Sequence, residues 1–318
     1  MAMNNATAVI EFLLIGISNY PERSVTFFTL VLITYISILL GNGLIIFLIH
    51  FDPHLHTPMY FFLSNLSFID LCYGTASMPQ VLVHCFSTHP YLSYPQCLTQ
   101  MSVSLVLATA KCLLLAVMAY DRVVAISNPL HYSMVMNAPV CAWLAATSWG
   151  ASLVLTAMLL LSLQLHFCGA NIINHFACEI LSLLKLACSD TSINQLMIFI
   201  IGIFTLLLPF GFVIFSHFRI AAAVLKIHST QGRLKAFSTC GSHLIVVTIF
   251  YRAVISMYMK PQSKSSPDQH KFVSVFYGAL TPTLNPLIYS LRNKDVKGAM
   301  RKVMMKRHRP PLLLKLLK

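Results

Sequence analysis

Residues 193–225 read INQLMIFIIGIFTLLLPFGFVIFSHFRIAAAVL. A helix rises ~1.5 Å per residue, so about twenty such residues cross the ~30 Å of hydrocarbon in a bilayer. Lipid offers the backbone no hydrogen-bond partners, and a lone stretch of this kind therefore crosses as a helix. Outward from it, similar apolar runs recur at about 25–50, 57–84, 94–126, 139–163, 236–259 and 271–291. With 193–225 they make seven. The fold expected is an all-α membrane protein, a seven-transmembrane helix bundle over 25–291.

Composition points the same way. Of 318 residues, 57% are hydrophobic and 10% charged, where a soluble domain carries roughly 25% charged residues. Seven spans put the two ends of the chain on opposite sides. Fifteen of the 22 Lys and Arg fall at 219–235, at 292–318 and at Arg122. Basic residues collect on the cytoplasmic side, so residues 292–318 are expected inside and the tail 1–24 outside. Net charge is +13, but the basic residues flank apolar spans, which favours membrane orientation over nucleic-acid binding. Asn5-Ala6-Thr7 is a glycosylation sequon that agrees with an outside tail. The first residues lack a basic-then-apolar leader, so the first span is expected to act as the insertion signal.

Val296, Met300, Val303 and Met304 share one helical face among Lys and Arg. That pattern predicts a short amphipathic helix on the inner leaflet, with membrane lipid as its partner. Cys72, Cys112, Cys141 and Cys240 lie in spans or at their inner ends, and Cys85 near an outer end. Cys97, Cys168, Cys178 and Cys188 cluster outside, where an even number predicts two disulfides. Spacing leaves all three pairings open.

No enzyme constellation is visible. There is no paired carboxylate, no Gly-rich phosphate loop, and no Cys/His set with zinc spacing and an open position. No cofactor and no metal is expected. A transporter would show repeat symmetry and paired broken helices, and neither is seen. A retinal-bearing pump needs a buried Lys in the last span, where only Lys271 stands, at its outer edge.

Several blocks carry a resemblance. LHTPMYFFLSNLSFID (55–70), MAYDRVVAISNPLHY (118–132), KAFSTCGSHLIVV (235–247), PTLNPLIYSLRN (282–293) and Gly41-Asn42 resemble the signatures of the odorant receptor family of rhodopsin-like G-protein-coupled receptors. The likeness runs from about residue 9 to 303. It implies an odorant receptor that couples to a heterotrimeric G protein of the stimulatory olfactory type in the plasma membrane. It implies Cys97–Cys178 and Cys168–Cys188 as the disulfides. It assigns the switch to Asp121 and Arg122, where a charged pair holds the inner end of span three closed, and to Asn285, Pro286 and Tyr289, a proline joint in span seven. Pro209 in span five reads as a similar joint.

By helical spacing, Ser104, Leu105, Ala108 and Thr109 in span three face the bundle in its outer half. Gly202 and Thr205 in span five, and Tyr251, Val254, Ile255 and Tyr258 in span six, lie at matching depth. In the family this is where odorants bind. The lining is apolar with few hydroxyls and no net charge, which predicts a small, mostly apolar volatile as ligand.

The sequence departs from the family at five places. Val123 stands for Tyr, Ser127 for Cys, His217 for Tyr, Arg252 for Gly and Lys111 for Glu. The first three fall on the G-protein side. Arg252 is placed to snorkel outward or to meet Glu179. Lys111 lies eleven residues above Arg122, or ~16 Å by helical rise, and Asp70 lies at a similar depth in span two. These are the two mid-membrane charges, and an isolated charge there costs several kcal/mol. A buried Asp70–Lys111 ion pair is therefore expected, with Asn42 and Asn285 as hydrogen-bond partners. In relatives an Asp and a Glu at these positions could share a sodium ion; here the ammonium takes that place.

Overall fold

The computed structural model describes residues 11–15, 21–87, 90–163, 165–167, 171–226, 229–258, 276–292 and 294–307. Asn5, Cys168 and Lys271 lie outside them. The helices are α1 (Pro21–Phe51), α2 (Pro58–His84), α3 (Tyr94–Ser127), the short α4 (Tyr132–Val135), α5 (Ala138–Ser162) and the short α6 (Ile180–Leu186). There follow α7 (Ser192–Leu225), α8 (Thr230–Tyr258), α9 (Thr281–Arg292) and α10 (Lys294–Arg307).

Local chemistry sets the ends. Ser93 and Gln96 form a reciprocal capping box at the start of α3, ahead of Pro95. Asn137 caps α5 by accepting from the Val140 amide. Within α7 the backbone widens to a π-turn over Ile203–Leu207. Pro209, one turn on, has no N–H to offer the Thr205 carbonyl.

Among the described residues, four helices are long and apolar enough to cross a membrane: Val25–Phe51, Tyr94–Ser127, Ala138–Ser162 and Ser192–Leu225. Only 28–44% of each apolar window is buried within the protein. Leu40, Trp143, Leu161 and Phe218 project outward, a surface suited to hydrocarbon. Asp70 and Asn65 lower the average hydropathy of α2, and Ser67 and Asp70 are buried on its interior face. In α8 the apolar run is His243–Tyr258.

α1 packs on α2, α2 on α3, α3 on α5 and α7, and α9 on α1 and α8. The main core runs through this assembly, from Leu48, Leu63 and Leu66 to Leu114, Leu115, Val247 and Phe250. Gly41 lets α1 approach α9. A Cβ at that position would lie 2.9 Å from the Pro286 Cβ, whereas one at Gly43 meets nothing within 4 Å. Gly41→Val is expected to cut surface expression several-fold and Gly43→Ala to leave it unchanged, as read by flow cytometry on unpermeabilised cells.

The segment expected as an outer tail is partly structured. Glu11–Leu14 forms β1, the middle strand of a three-stranded sheet, antiparallel to β2 (Tyr91–Ser93) and parallel to β3 (Ile172–Ile173). The all-α expectation thus misses a small sheet at the end of the bundle that carries the disulfide. Phe12 is fully buried there, against Tyr94 and Phe167. The strand is short, and its alternation of Phe12 and Leu14 inward becomes visible only once β2 and β3 are beside it.

Candidate functional site

Three groups of residues stand out along the bundle, at the disulfide end, at mid-depth and at the Arg122 end. At mid-depth, Lys111 Nζ on α3 lies 2.5 Å from Asp70 Oδ1 on α2. Asn285 Nδ2 on α9 donates to Asp70 Oδ2, also at 2.5 Å. Asp70 is 1% exposed and Lys111 4%. The ammonium also lies 5.2 Å from the Phe250 ring centroid, within cation–π reach. Asp70 thus joins three helices. A cavity of about 10 Å³ beside it, bounded by Tyr73, Leu107, Ala108 and Pro282, matches a single water.

Asn42 does not reach Asp70, contrary to expectation. Its Nδ2 donates to the carbonyls of Ile38 and Pro282, at 3.0 and 3.1 Å. The reason lies in α9. Pro286 lacks the N–H that would have bonded the Pro282 carbonyl four residues earlier. Asn42 supplies that missing donor from α1, and the proline joint is satisfied across the helix interface.

At the disulfide end, Cys97 and Cys178 are bonded. Cys188 is also disulfide-bonded; Cys168, the partner the family likeness implies, lies outside the described residues. Gln100 fixes the loop beneath the bond. Its Oε1 accepts from the Cys178 amide, while its Nε2 donates to Gln80 and to the Ala76 carbonyl.

Directly below, Ser104, Leu105, Ala108 and Thr109 are half-buried on α3. Gly202 and Thr205 on α7 are buried, and the Thr205 hydroxyl donates to the Ile201 carbonyl of its own helix. Val254 is buried and Ile255 half-buried. Tyr251 is fully buried and its hydroxyl donates to the Cys112 carbonyl at 2.8 Å, tying α8 to α3. Its hydroxyl is therefore spent on the scaffold.

Glu179 lies close enough to Tyr258 to act on its phenol, and His175 Nε2 lies 3.3 Å from Glu179 Oε2. His175 and Glu179 were not among the expected lining residues. An acid therefore adjoins a lining that was expected to carry no charge. The signal was available: Glu179 follows Cys178, so the bond to Cys97 places it at the head of α3. Arg252 does not join it. Its side chain is exposed on α8.

At the Arg122 end, the expected Asp121–Arg122 pair is not formed. The buried Asp121 carboxylate accepts from the Tyr132 hydroxyl at 2.7 Å. Burial, reinforced by that carboxylate, holds the Tyr132 phenol above its usual range, so it stays a donor. Arg122 is half-buried and has no carboxylate within ion-pair distance among the described residues. The geometric reason is that consecutive residues diverge by ~100° around a helix, and Tyr132 comes back over the face of Asp121. Val123 packs with Ile126 against Ile220 and Val224 of α7. Asn285 and Pro286 are buried; Tyr289 lies on α9, its side chain outside the described residues. Near α10, Lys302 Nζ lies 3.2 Å from Asp52 Oδ2. The His54 backbone amide, with Lys302, holds the Asp52 carboxyl below its usual range.

A sequence profile of olfactory receptors matches residues 30–307. The chain belongs to the olfactory receptor family. It is 79% identical over 307 residues to human olfactory receptor 13H1, covering 96% of this chain and all of that protein. It is 47% identical to human olfactory receptor 13C9 over 308 residues, covering 95% of this chain and 97% of that one. Gorilla olfactory receptor 1E2 is 47% identical over 318 residues, covering 98% and 100%. Olfactory receptors are multi-pass G-protein-coupled receptors and not enzymes, so the absence of a catalytic constellation in the sequence accords with the family.

Proposed function

We propose that this olfactory receptor binds a small, mostly apolar volatile among α3, α7 and α8 at the disulfide end, and activates a stimulatory G protein to raise cyclic AMP. In this reading the chain crosses the plasma membrane seven times. The disulfide end and the N-terminus face outside; Arg122, α10 and the basic tail face the cytoplasm. What supports the binding reading is that Tyr258 joins two apolar clusters, one with Val254 and Ile255 and one with Leu105, and has Glu179 near its phenol. Apolar contact gives such a ligand most of its affinity, at ~25 cal/mol per Å² buried, and one or two hydrogen bonds orient it. The ring of α10 residues around Val296 and Ala299, which are buried against the bundle, suits a helix lying along the inner leaflet.

The test is a cyclic AMP reporter in cells expressing the receptor, screened against a chemically broad odorant panel. With an active odorant in hand, Thr109→Ala and Tyr258→Phe are each expected to raise the half-maximal concentration about tenfold, the scale of ~1.4 kcal/mol. Thr205→Val is expected to have a smaller effect, since its hydroxyl is already bonded within α7. Unchanged responses from all three at equal surface expression would place the ligand elsewhere.

A further inference from the structure

Two histidines have no part in the function proposed above. His217 on α7 and His243 on α8 face each other with ring centroids 5.5 Å apart and planes within 6° of parallel. His243 is 1% exposed. Neither of its ring nitrogens has a hydrogen-bond partner among the described residues, and His217 Nε2 has none either. The Leu115 carbonyl lies beside His243 but outside hydrogen-bond geometry. Only His217 Nδ1 is engaged, with the Val213 carbonyl at 2.8 Å. Buried polar atoms are nearly always satisfied, so three idle imidazole nitrogens at one helix interface require a reason. The two rings do not satisfy each other, since no nitrogen of one is hydrogen-bonded to the other.

We propose that His217 and His243 form a two-histidine site for a borderline divalent transition metal ion such as Zn²⁺, bridging α7 and α8 at the Arg122 end. Neutral imidazole nitrogen is a preferred ligand of such ions, at ~2.0–2.1 Å for zinc, while Mg²⁺ and Ca²⁺ take oxygen. The rings are already side by side. Because the rings are stacked and nitrogen lone pairs lie in the ring plane, both rings must turn about their Cβ–Cγ bonds to bring a nitrogen of each onto a shared ion. His217 is half-buried, which leaves a route for the ion and for the waters that complete a tetrahedral set. No third His, Cys, Asp or Glu joins the pair among the described residues, so the site is weaker than a structural zinc centre. The bound ion ties α7 to α8. It also repels the guanidinium of Arg122, whose charge acts on His243 from α3.

The site is tested without any odorant. The full receptor, purified on a histidine-free affinity tag and held in lipid nanodiscs, is unfolded thermally in rising Zn²⁺, with Mg²⁺ as the control. Zn²⁺ is expected to raise the midpoint by several degrees and Mg²⁺ to leave it unchanged. His217→Tyr, which restores the residue usual in the family, and His217→Ser should each lose the shift. His217→Cys, which keeps a ligand, should retain it. No zinc shift in the native receptor, or an equal shift in His217→Tyr and His217→Ser, would overturn the site.

Discussion

Lys111→Ala is expected to remove most of the receptor from the cell surface, and adding Asp70→Asn to bring back a large part of it. The carboxylate of Asp70 is buried, and its two oxygens are held by one ammonium and one amide. Removing the ammonium leaves a charge that Asn285 alone cannot balance. Breaking a buried pair from one side costs ~3–5 kcal/mol, against a total stability of ~5–15 kcal/mol. The misfolded fraction rises accordingly, and quality control removes it. Replacing both charges is different, because neutral groups of similar size at a buried pair are often no worse than the pair itself. The non-additivity is the signature: the double variant should express better than the single one, by surface staining of intact cells. If Lys111→Ala reaches the surface like the native receptor, the pair carries no stability.

The same geometry predicts how the receptor responds to salt. An ammonium already neutralises Asp70, and the adjoining cavity has room for about one water. Exchanging sodium for a large organic cation at constant ionic strength should leave signalling unchanged. Lys111→Glu, which restores the family residue, should make it sodium-dependent.

Much of this mid-depth site was legible because charge in a membrane is rare. With two ionisable residues at one depth, helical rise alone brings Lys111 and Asp70 together. The helices were legible for a related reason, since apolar runs of sufficient length have few alternatives. What the sequence hid depended on partners far along the chain. Asn42 was expected at Asp70 because both are polar and deep; the Pro282 carbonyl, stripped of its donor by Pro286, drew it to α9. Tyr251 was expected to line the ligand space, but its hydroxyl found the Cys112 carbonyl. β1 was unreadable because four residues make no periodic signal, and its register exists only against β2 and β3. Asp121 and Arg122 are adjacent in sequence, which suggested a pair; Tyr132, ten residues past Arg122, took the carboxylate.

That last contact sharpens what Arg122→Ala should do. Arg122 sits five residues before the end of α3. Its neighbour's carboxylate is occupied by Tyr132, so no intramolecular ion pair among the described residues holds the guanidinium back. A guanidinium is always charged and carries five donors in a planar fork, which suits it to the carbonyls and carboxylates of an incoming protein. Because the side chain is half-buried and unpaired with any acid among the described residues, its loss is expected to cost the fold little. Arg122→Ala should therefore reach the surface and bind odorant normally, while its cyclic AMP response falls at least tenfold. Arg122→Lys, a point charge without the fork, should recover only part of it. Tyr132→Phe separates the two roles at this end. It strands the buried Asp121 carboxylate, at a cost of ~1–3 kcal/mol, so its defect should appear first in surface expression rather than in signalling per receptor. Normalising cyclic AMP output to surface density distinguishes these cases. An Arg122→Ala receptor with a full response at equal density would mean that the G protein is engaged through other residues at this end of the bundle.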